Sequence, residues 1–190
     1  GTDMIIVHPG GWYCNQNDKE IRMKNSIESL IQIASYAKEQ SVKVAVENMP
    51  KEFLTDDIET MKIILHEIRK SRKLNNTLGL CLDTGHANLT ENLIDYLELM
   101  GDEILTMHVH DNFGDRKNDR QTASDDLHLL PGEGNTNWDM FFKKLDNNYN
   151  GGFIFEPIAK NAGNGSGIEH CNIILENLKN LLNSGKFLKN

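Results

Sequence analysis

The sequence LGLCLDTGHAN, residues 78–88, joins a short apolar run to an acidic residue and a histidine. A continuously apolar run of this length is typical of a buried strand in a parallel sheet. Asp83 ends the run, and a carboxylate buried at such a point is costly without a partner. Asp83 could cap the turn before Asn88, but the D-T-G-H spacing and the strand before it favour a ligand at the carboxyl end of a strand.

Four other apolar runs end in the same way. His8 follows Val7, Glu47 follows Val46, His108 and His110 close a fourth run, and Glu156 follows Phe155. The carboxyl ends of parallel strands converge on one mouth in a barrel, so a shared cation would compensate these side chains together. Histidine and carboxylate ligands without cysteine suit zinc, manganese, magnesium or cobalt.

Longer amphipathic segments separate the apolar runs. The predicted strands are about Met4–Val7, Val42–Val46, Leu78–Leu82, Ile104–Val109 and Phe153–Phe155. The predicted helices are about Lys19–Gln40, Asp56–Lys70, Glu91–Met100, Trp138–Leu145 and Ile168–Leu182, and a long polar segment covers His110–Thr136. This alternation predicts an α/β fold with a parallel sheet covered on both faces, either an open doubly wound sheet or a barrel. The polar residues at the strand ends favour the barrel.

Composition limits the class of protein. The chain has 190 residues, 38% hydrophobic and 25% charged, which is typical of one soluble globular domain. Its apolar runs are too short to span a bilayer. The three cysteines, Cys14, Cys81 and Cys171, are widely spaced, which predicts idle thiols in a reducing compartment and so a cytoplasmic protein.

Charge argues against a broad nucleic-acid surface, because the formal net charge is -8. The one visible basic run contains Arg116, Lys117 and Arg120, and acidic residues interrupt it. A solvated loop is the preferred interpretation of this run.

Six segments occur in the order found in a known barrel family. They are HPGGW at His8, VAVENMP around Glu47, GLCLDTGHAN around Asp83, MHVHDN around His108, DLHLLPGEG around His128 and FIFEP at Glu156. From end to end the chain resembles the xylose isomerase-like barrel family, also called the AP endonuclease family 2 fold. The resemblance implies that one divalent metal is held by Glu47, Asp83, His108 and Glu156. His108 is preferred to His110 because it lies deeper in its strand and matches the family position.

The resemblance reaches the trinuclear site of endonuclease IV. His8 matches a ligand of a second metal that Glu47 would bridge, and His86, Asp126 and His128 match the ligands of a third. These four residues are expected to be either additional metal ligands or substrate contacts, and His110 is expected to support a ligand or contact substrate. One ion is expected, with up to three allowed.

The family barrel has eight βα units, and five are counted here. We therefore expect residues 1–190 to supply the last five units of one (β/α)₈ TIM barrel, as the C-terminal part of a single domain. Five units leave two unpaired sheet edges, so we expect the segment not to fold alone as a stable monomer. A homo-oligomer is left open.

The leading hypothesis is a metal-dependent isomerase or epimerase of a sugar or sugar phosphate. Glu47 and Glu156 would act as acid and base around an enediolate, as the resemblance implies. The alternative is an endonuclease IV-like zinc enzyme acting on abasic DNA, which the ligand inventory favours and the acidic composition opposes. A non-catalytic barrel module ranks last, because the expected ligands of this segment are all present.

Overall fold

The computed structural model describes residues 1–13, 15–72, 74, 77–114, 125–145, 149–156, 158 and 167–183. The predicted basic run at Arg116, Lys117 and Arg120 lies outside these residues. The described strands are β1 Met4–Val7, β2 Lys43–Glu47, β3 Leu78–Asp83, β4 Ile104–Val109 and β5 Gly152–Phe155. The described helices are α1 Gln16–Glu39, α2 Ile58–Arg72, α3 Thr84–Leu89, α4 Leu93–Met100, α5 Trp138–Lys144 and α6 Gly167–Asn183, with a 3₁₀ turn at Gly101–Glu103.

The five strands form one parallel sheet in the order β1-β2-β3-β4-β5. A doubly wound sheet reverses its strand order at a switch point, whereas a barrel adds each strand beside the last. The sheet is therefore a curled part of a TIM barrel, as predicted. β1 and β5 are its edges, and Ile5 and Ile154 on them are exposed.

The convex face of the sheet forms the apolar core with the helices. Val44, Leu80 and Met107 point to this face and are fully buried, together with Ile64 and Ile68 on the predicted apolar face of α2. Burial of such side chains contributes about 1.5–3 kcal/mol each. The strands are therefore fixed against their helices, which sets the positions of the strand ends.

The structure differs from the prediction after β3. Thr84–Leu89 forms a short helix of its own, α3, and Asn92 precedes the first residue of α4. Asp83 caps α3, because its Oδ1 accepts a hydrogen bond of 2.7 Å from the backbone N of His86. A six-residue helix with a glycine at its second position has no periodic pattern that sequence reasoning could detect.

An irregularity in β4 sets the register at the mouth. Leu80 pairs with Ile104 and Cys81 pairs with Thr106, so Leu105 is an extra residue in β4. After this bulge His108 lies opposite Asp83. Because a one-residue slip reverses the face of every following side chain, the bulge brings both side chains to the same concave face.

Among the described residues, no helix combines the length and the apolar character that crossing a bilayer requires.

Gly85 in α3 gives a test of this packing. A Cβ at Gly85 would lie 2.0 Å from Cε1 of His110, so Gly85→Ala should displace that ring and destabilise the protein by about 1–3 kcal/mol. Gly101→Ala is the matched control: its added Cβ has no neighbour within 4 Å, so the change should be neutral or stabilise by up to about 1 kcal/mol. Urea denaturation measures both. Equal stability of the two variants would contradict the close approach of α3 to His110.

Candidate metal centre

The four predicted ligands of the common metal lie at the ends of four consecutive strands. Glu47 and Asp83 are the last residues of β2 and β3, His108 is the last but one of β4, and Glu156 directly follows β5. His108 Nδ1 lies 3.2 Å from Glu47 Oε1 and 3.8 Å from Asp83 Oδ2. On the other edge of the ring, His108 Nε2 lies 3.5 Å from Glu156 Oε1. The strand ends therefore bring all four side chains together.

Two buried atoms in this group have close neighbours without hydrogen-bond geometry. They are Glu47 Oε2, which lies 3.1 Å from His8 Nε2, and His108 Nδ1, which faces Glu47 Oε1. Close contacts without hydrogen-bond geometry are expected where both atoms are directed at a common ion instead of at each other. Carboxylate oxygens and imidazole nitrogens are ligands that divalent cations accept. The residues therefore fit a divalent metal at this position.

Beside this group, a second cluster centres on Asp126. His86 Nε2 and His128 Nε2 each lie 3.1 Å from Asp126 Oδ2. The other nitrogen of each ring faces a backbone carbonyl: His86 Nδ1 lies 2.9 Å from the oxygen of Asn48, and His128 Nδ1 lies 2.8 Å from that of Glu156. A carbonyl only accepts, so each Nδ1 carries the proton and each Nε2 faces Asp126, the orientation common in metal-binding histidines.

His110 links the two groups. Its side chain is fully buried, and its Nε2 lies 3.0 Å from Asp83 Oδ1 and 3.7 Å from Asp126 Oδ1. Its ring stacks on the ring of His128 with centroids 3.9 Å apart. His110 therefore lies behind Asp83, between the two clusters. His8 has the opposite character, because 64% of its side chain is exposed at the outer side of Glu47.

The clusters compensate their own charges. Burial opposes ionisation of Asp83, but the charges of His86 and His110 hold its pKa at about 2. Burial alone would lower the pKa of His86, but Asp83 and Asp126 raise it to about 10. The hydrogen bond with Asp126 raises the pKa of His128 to about 9. Without a metal, His86 and His128 are therefore charged partners of the Asp83 and Asp126 carboxylates at neutral pH.

The backbone of His128 is in a rare conformation. Its φ is +46°, in the left-handed region that residues other than glycine seldom adopt. Such conformations cost about 1–3 kcal/mol and persist where the surrounding structure holds them. Here the ring contacts of His128 with Glu156 and Asp126 accompany that backbone, which places the strain within the site.

Other residues of the site were missed or left open by the sequence analysis. Asn48 bridges β2 and β3 beyond the regular ladder, because its Oδ1 accepts from the backbone N of Asp83 at 2.7 Å and its Nδ2 donates to the Asp83 oxygen at 3.1 Å. Cys81 is a buried free thiol beneath Glu47 and His108, and burial raises its pKa. Trp12 packs on Phe53, with ring centroids 4.6 Å apart.

The profile of the xylose isomerase-like TIM barrel family matches residues 1–179. The chain belongs to this family. An uncharacterised protein of Methanocaldococcus jannaschii is 30% identical over 152 residues, which are 76% of this chain and 46% of that protein. An uncharacterised protein of Sinorhizobium fredii is 32% identical over 149 residues, which are 76% of this chain and 43% of that protein. The chain thus spans less than half the length of these two relatives.

Solved structures share the fold of this family member. A D-tagatose 3-epimerase-like protein is 27% identical with a TM-score of 0.68, and the match covers 96% of this chain and 64% of that one. The IOLI protein, solved with a zinc atom, is 18% identical with a TM-score of 0.75 over 99% of this chain and 65% of that one. The resemblance and the barrel predicted from the strand ends are confirmed.

The ion pairs predict how stability depends on pH. His86 and His128 have folded-state pKa values above the ordinary 6.5, so folding favours their charged forms. Their contribution is fully present below that value and is lost as the pH rises through about 9 to 10. For chelator-treated protein, we expect the free energy of unfolding by urea to fall over this interval.

The histidine variants identify the source of this pH dependence. His128→Gln should lose part of the fall, because the titrating group is removed. His66→Gln should keep it, because His66 is an exposed residue of α2 whose Nε2 lies 4.0 Å from Oε1 of its neighbour Glu67 and which belongs to neither cluster. A fall that is the same in both variants would show that another group causes it.

Proposed function

We propose that this chain carries the metal centre and the acid–base pair of a divalent-metal-dependent isomerase or epimerase of a sugar or sugar phosphate. The supporting observation is that Glu47, Asp83, His108 and Glu156 converge on one concave face from four consecutive strands. Membership of the xylose isomerase-like family supports the reaction class. The similarity to a D-tagatose 3-epimerase-like protein supports a sugar as the substrate.

These four residues would hold the metal. A bound divalent cation supplies a Lewis acid that polarises a sugar carbonyl and makes the adjacent C–H more acidic. Glu47 and Glu156 flank opposite edges of the His108 ring, Glu47 near Nδ1 and Glu156 near Nε2. A substrate carbon held between the two carboxylates would therefore have one on each side.

The two glutamates divide the proton transfer. Burial opposes ionisation of Glu47, but His108 and His8 hold its pKa below the ordinary value, so it is a carboxylate able to accept a proton. One glutamate removes the proton from the carbon next to the carbonyl and leaves an enediolate. If the other glutamate returns a proton to the opposite face of that carbon, its configuration is inverted and the reaction is an epimerisation. If the proton is returned to the neighbouring carbon, the carbonyl changes position and the reaction is an isomerisation.

Replacement of either glutamate tests this assignment. Glu47→Gln and Glu156→Gln should each lower turnover by about 10²–10⁴-fold, because an amide cannot take or return the proton. The measurement is incorporation of solvent deuterium at carbon into a panel of ketohexoses that includes D-tagatose, followed by NMR with Zn²⁺, Mn²⁺ or Co²⁺ present.

The control for this experiment is Glu28→Gln on the exposed face of α1, which removes the same charge from a residue outside the proposed acid–base pair and should leave exchange unchanged. Full exchange activity in both site variants would exclude the acid–base pair.

The Asp126 cluster favours a second candidate, a zinc-dependent phosphodiesterase of the endonuclease IV type. His86 and His128 point Nε2 at the same oxygen of Asp126, and His8 lies at the outer oxygen of Glu47. These contacts would let the same strand ends hold more than one ion. Several ions could activate a water and stabilise the charge on a phosphate.

Metal stoichiometry separates the two candidates. Elemental analysis of the purified protein should find about one divalent ion per chain for the isomerase or epimerase. In that case His8, His86, Asp126 and His128 lie on the substrate side. About three ions, mainly zinc, would contradict this and put phosphodiester chemistry first. Binding to an abasic duplex that weakens steeply with salt would be the accompanying result.

A further inference from the structure

The carboxylate of Asp111 is buried and accepts six hydrogen bonds. Its Oδ1 accepts from Asn112 N at 2.9 Å, Thr136 N at 3.2 Å and Thr136 Oγ1 at 2.6 Å, and its Oδ2 accepts from Gly132 N at 2.8 Å, Gly134 N at 3.1 Å and Trp138 Nε1 at 2.9 Å. Backbone N–H groups arranged in this way form an anion-binding nest. Asp111 is thus an internal anion in a nest formed by the loop before α5.

The same segment also contains Asp126 and His128 of the candidate site. Asp111 and Leu129 exchange both backbone hydrogen bonds, at 2.9 and 2.8 Å, as an isolated antiparallel bridge. His128 comes directly before this bridge and has the left-handed backbone. The backbone of Asp111 therefore fixes one end of the segment, and its carboxylate fixes the other end around residues 132–138.

The contacts of Asp111 exclude a direct role in the chemistry. None of its six donors belongs to the metal-binding groups, and the side chain is fully buried. An amide could not replace the carboxylate, because each oxygen accepts three donors and an NH₂ group accepts none. Both carboxylate oxygens of Asp111, and its charge, are therefore needed to hold residues 132–138 in place.

We infer that Asp111 is a positioning residue that holds His128 in its left-handed backbone and points its ring at Asp126. The inference rests on the proposed function for its effect on turnover, and on the hydrogen bonds alone for its effect on the His128 ring. The carboxylate of Asp111 holds the loop, and the backbone bridge between Asp111 and Leu129 fixes the residue next to His128. The ring of His110 stacks on that of His128, so a shift of His128 should also move His110.

The first test reads the histidine rings directly. Long-range ¹H–¹⁵N NMR spectra of the purified protein are compared with those of Asp111→Asn, and His128→Ala assigns the His128 signals. We expect the signals of His128 and His110 to shift in Asp111→Asn, while those of His66 stay in place. Asp3→Asn is the matched control, because Asp3 is exposed beside β1 and its change should move none of these signals.

A weaker variant covers the case in which Asp111→Asn does not fold. Thr136→Val removes one donor to Asp111 Oδ1 and leaves the carboxylate and the other five hydrogen bonds in place. It should shift the same His128 and His110 signals by a smaller amount. Unchanged His128 signals in a folded Asp111→Asn or in Thr136→Val would overturn the inference.

The second test distinguishes positioning from general stability. If Asp111 acts through His128, the double variant Asp111→Asn with His128→Ala should lose no more than about twofold turnover beyond His128→Ala alone. Losses that multiply would mean that Asp111 acts independently, and the inference would be wrong. If the parent protein turns over no sugar, the proposed function fails, and the NMR comparison alone decides the positioning role.

Discussion

The burial of two carboxylates at neighbouring strand ends is the constraint on which the rest of the structure depends. Glu47 and Asp83 are both withdrawn from water, and an isolated buried charge costs several kcal/mol. Four histidines from three separate segments surround them, and the first turn of α3 donates a backbone N–H to Asp83. Charge compensation therefore stabilises the mouth of the barrel, whereas burial of apolar side chains stabilises the convex face.

Local irregularities at the mouth serve that compensation. The extra residue Leu105 brings His108 into register with Asp83, and the missing side chain of Gly85 leaves space for the ring of His110. Asn48 continues the pairing of β2 and β3 with side-chain hydrogen bonds where the backbone ladder ends. The bulge brings an imidazole to a buried carboxylate, Gly85 makes room for a second imidazole, and Asn48 holds the backbone of Asp83.

The sequence predicted the features that depend on local pattern. Continuous apolar runs predicted all five strands, and the apolar spacing of α2 predicted the face that Ile64 and Ile68 bury. The gathering of the strand-end residues followed from parallel topology, while their roles in the reaction stay predictions. The bulge at Leu105 has no local sequence pattern and could not be predicted. The nest around Asp111 could not be predicted either, because every donor except Asn112 lies 21 to 27 residues later and meets Asp111 only in the folded loop.

The two clusters are not independent parts. The carbonyls that orient His86 and His128 belong to Asn48 and Glu156, which end the same strands that supply the candidate ligands. A single-metal epimerase would use the oriented Nε2 atoms as a polar wall beside the sugar, and a multi-metal phosphodiesterase would use the same atoms as ligands. Because the backbone fixes these atoms in either case, the two activities differ in how many ions bind and which substrate fits, and the strand-end scaffold is common to both.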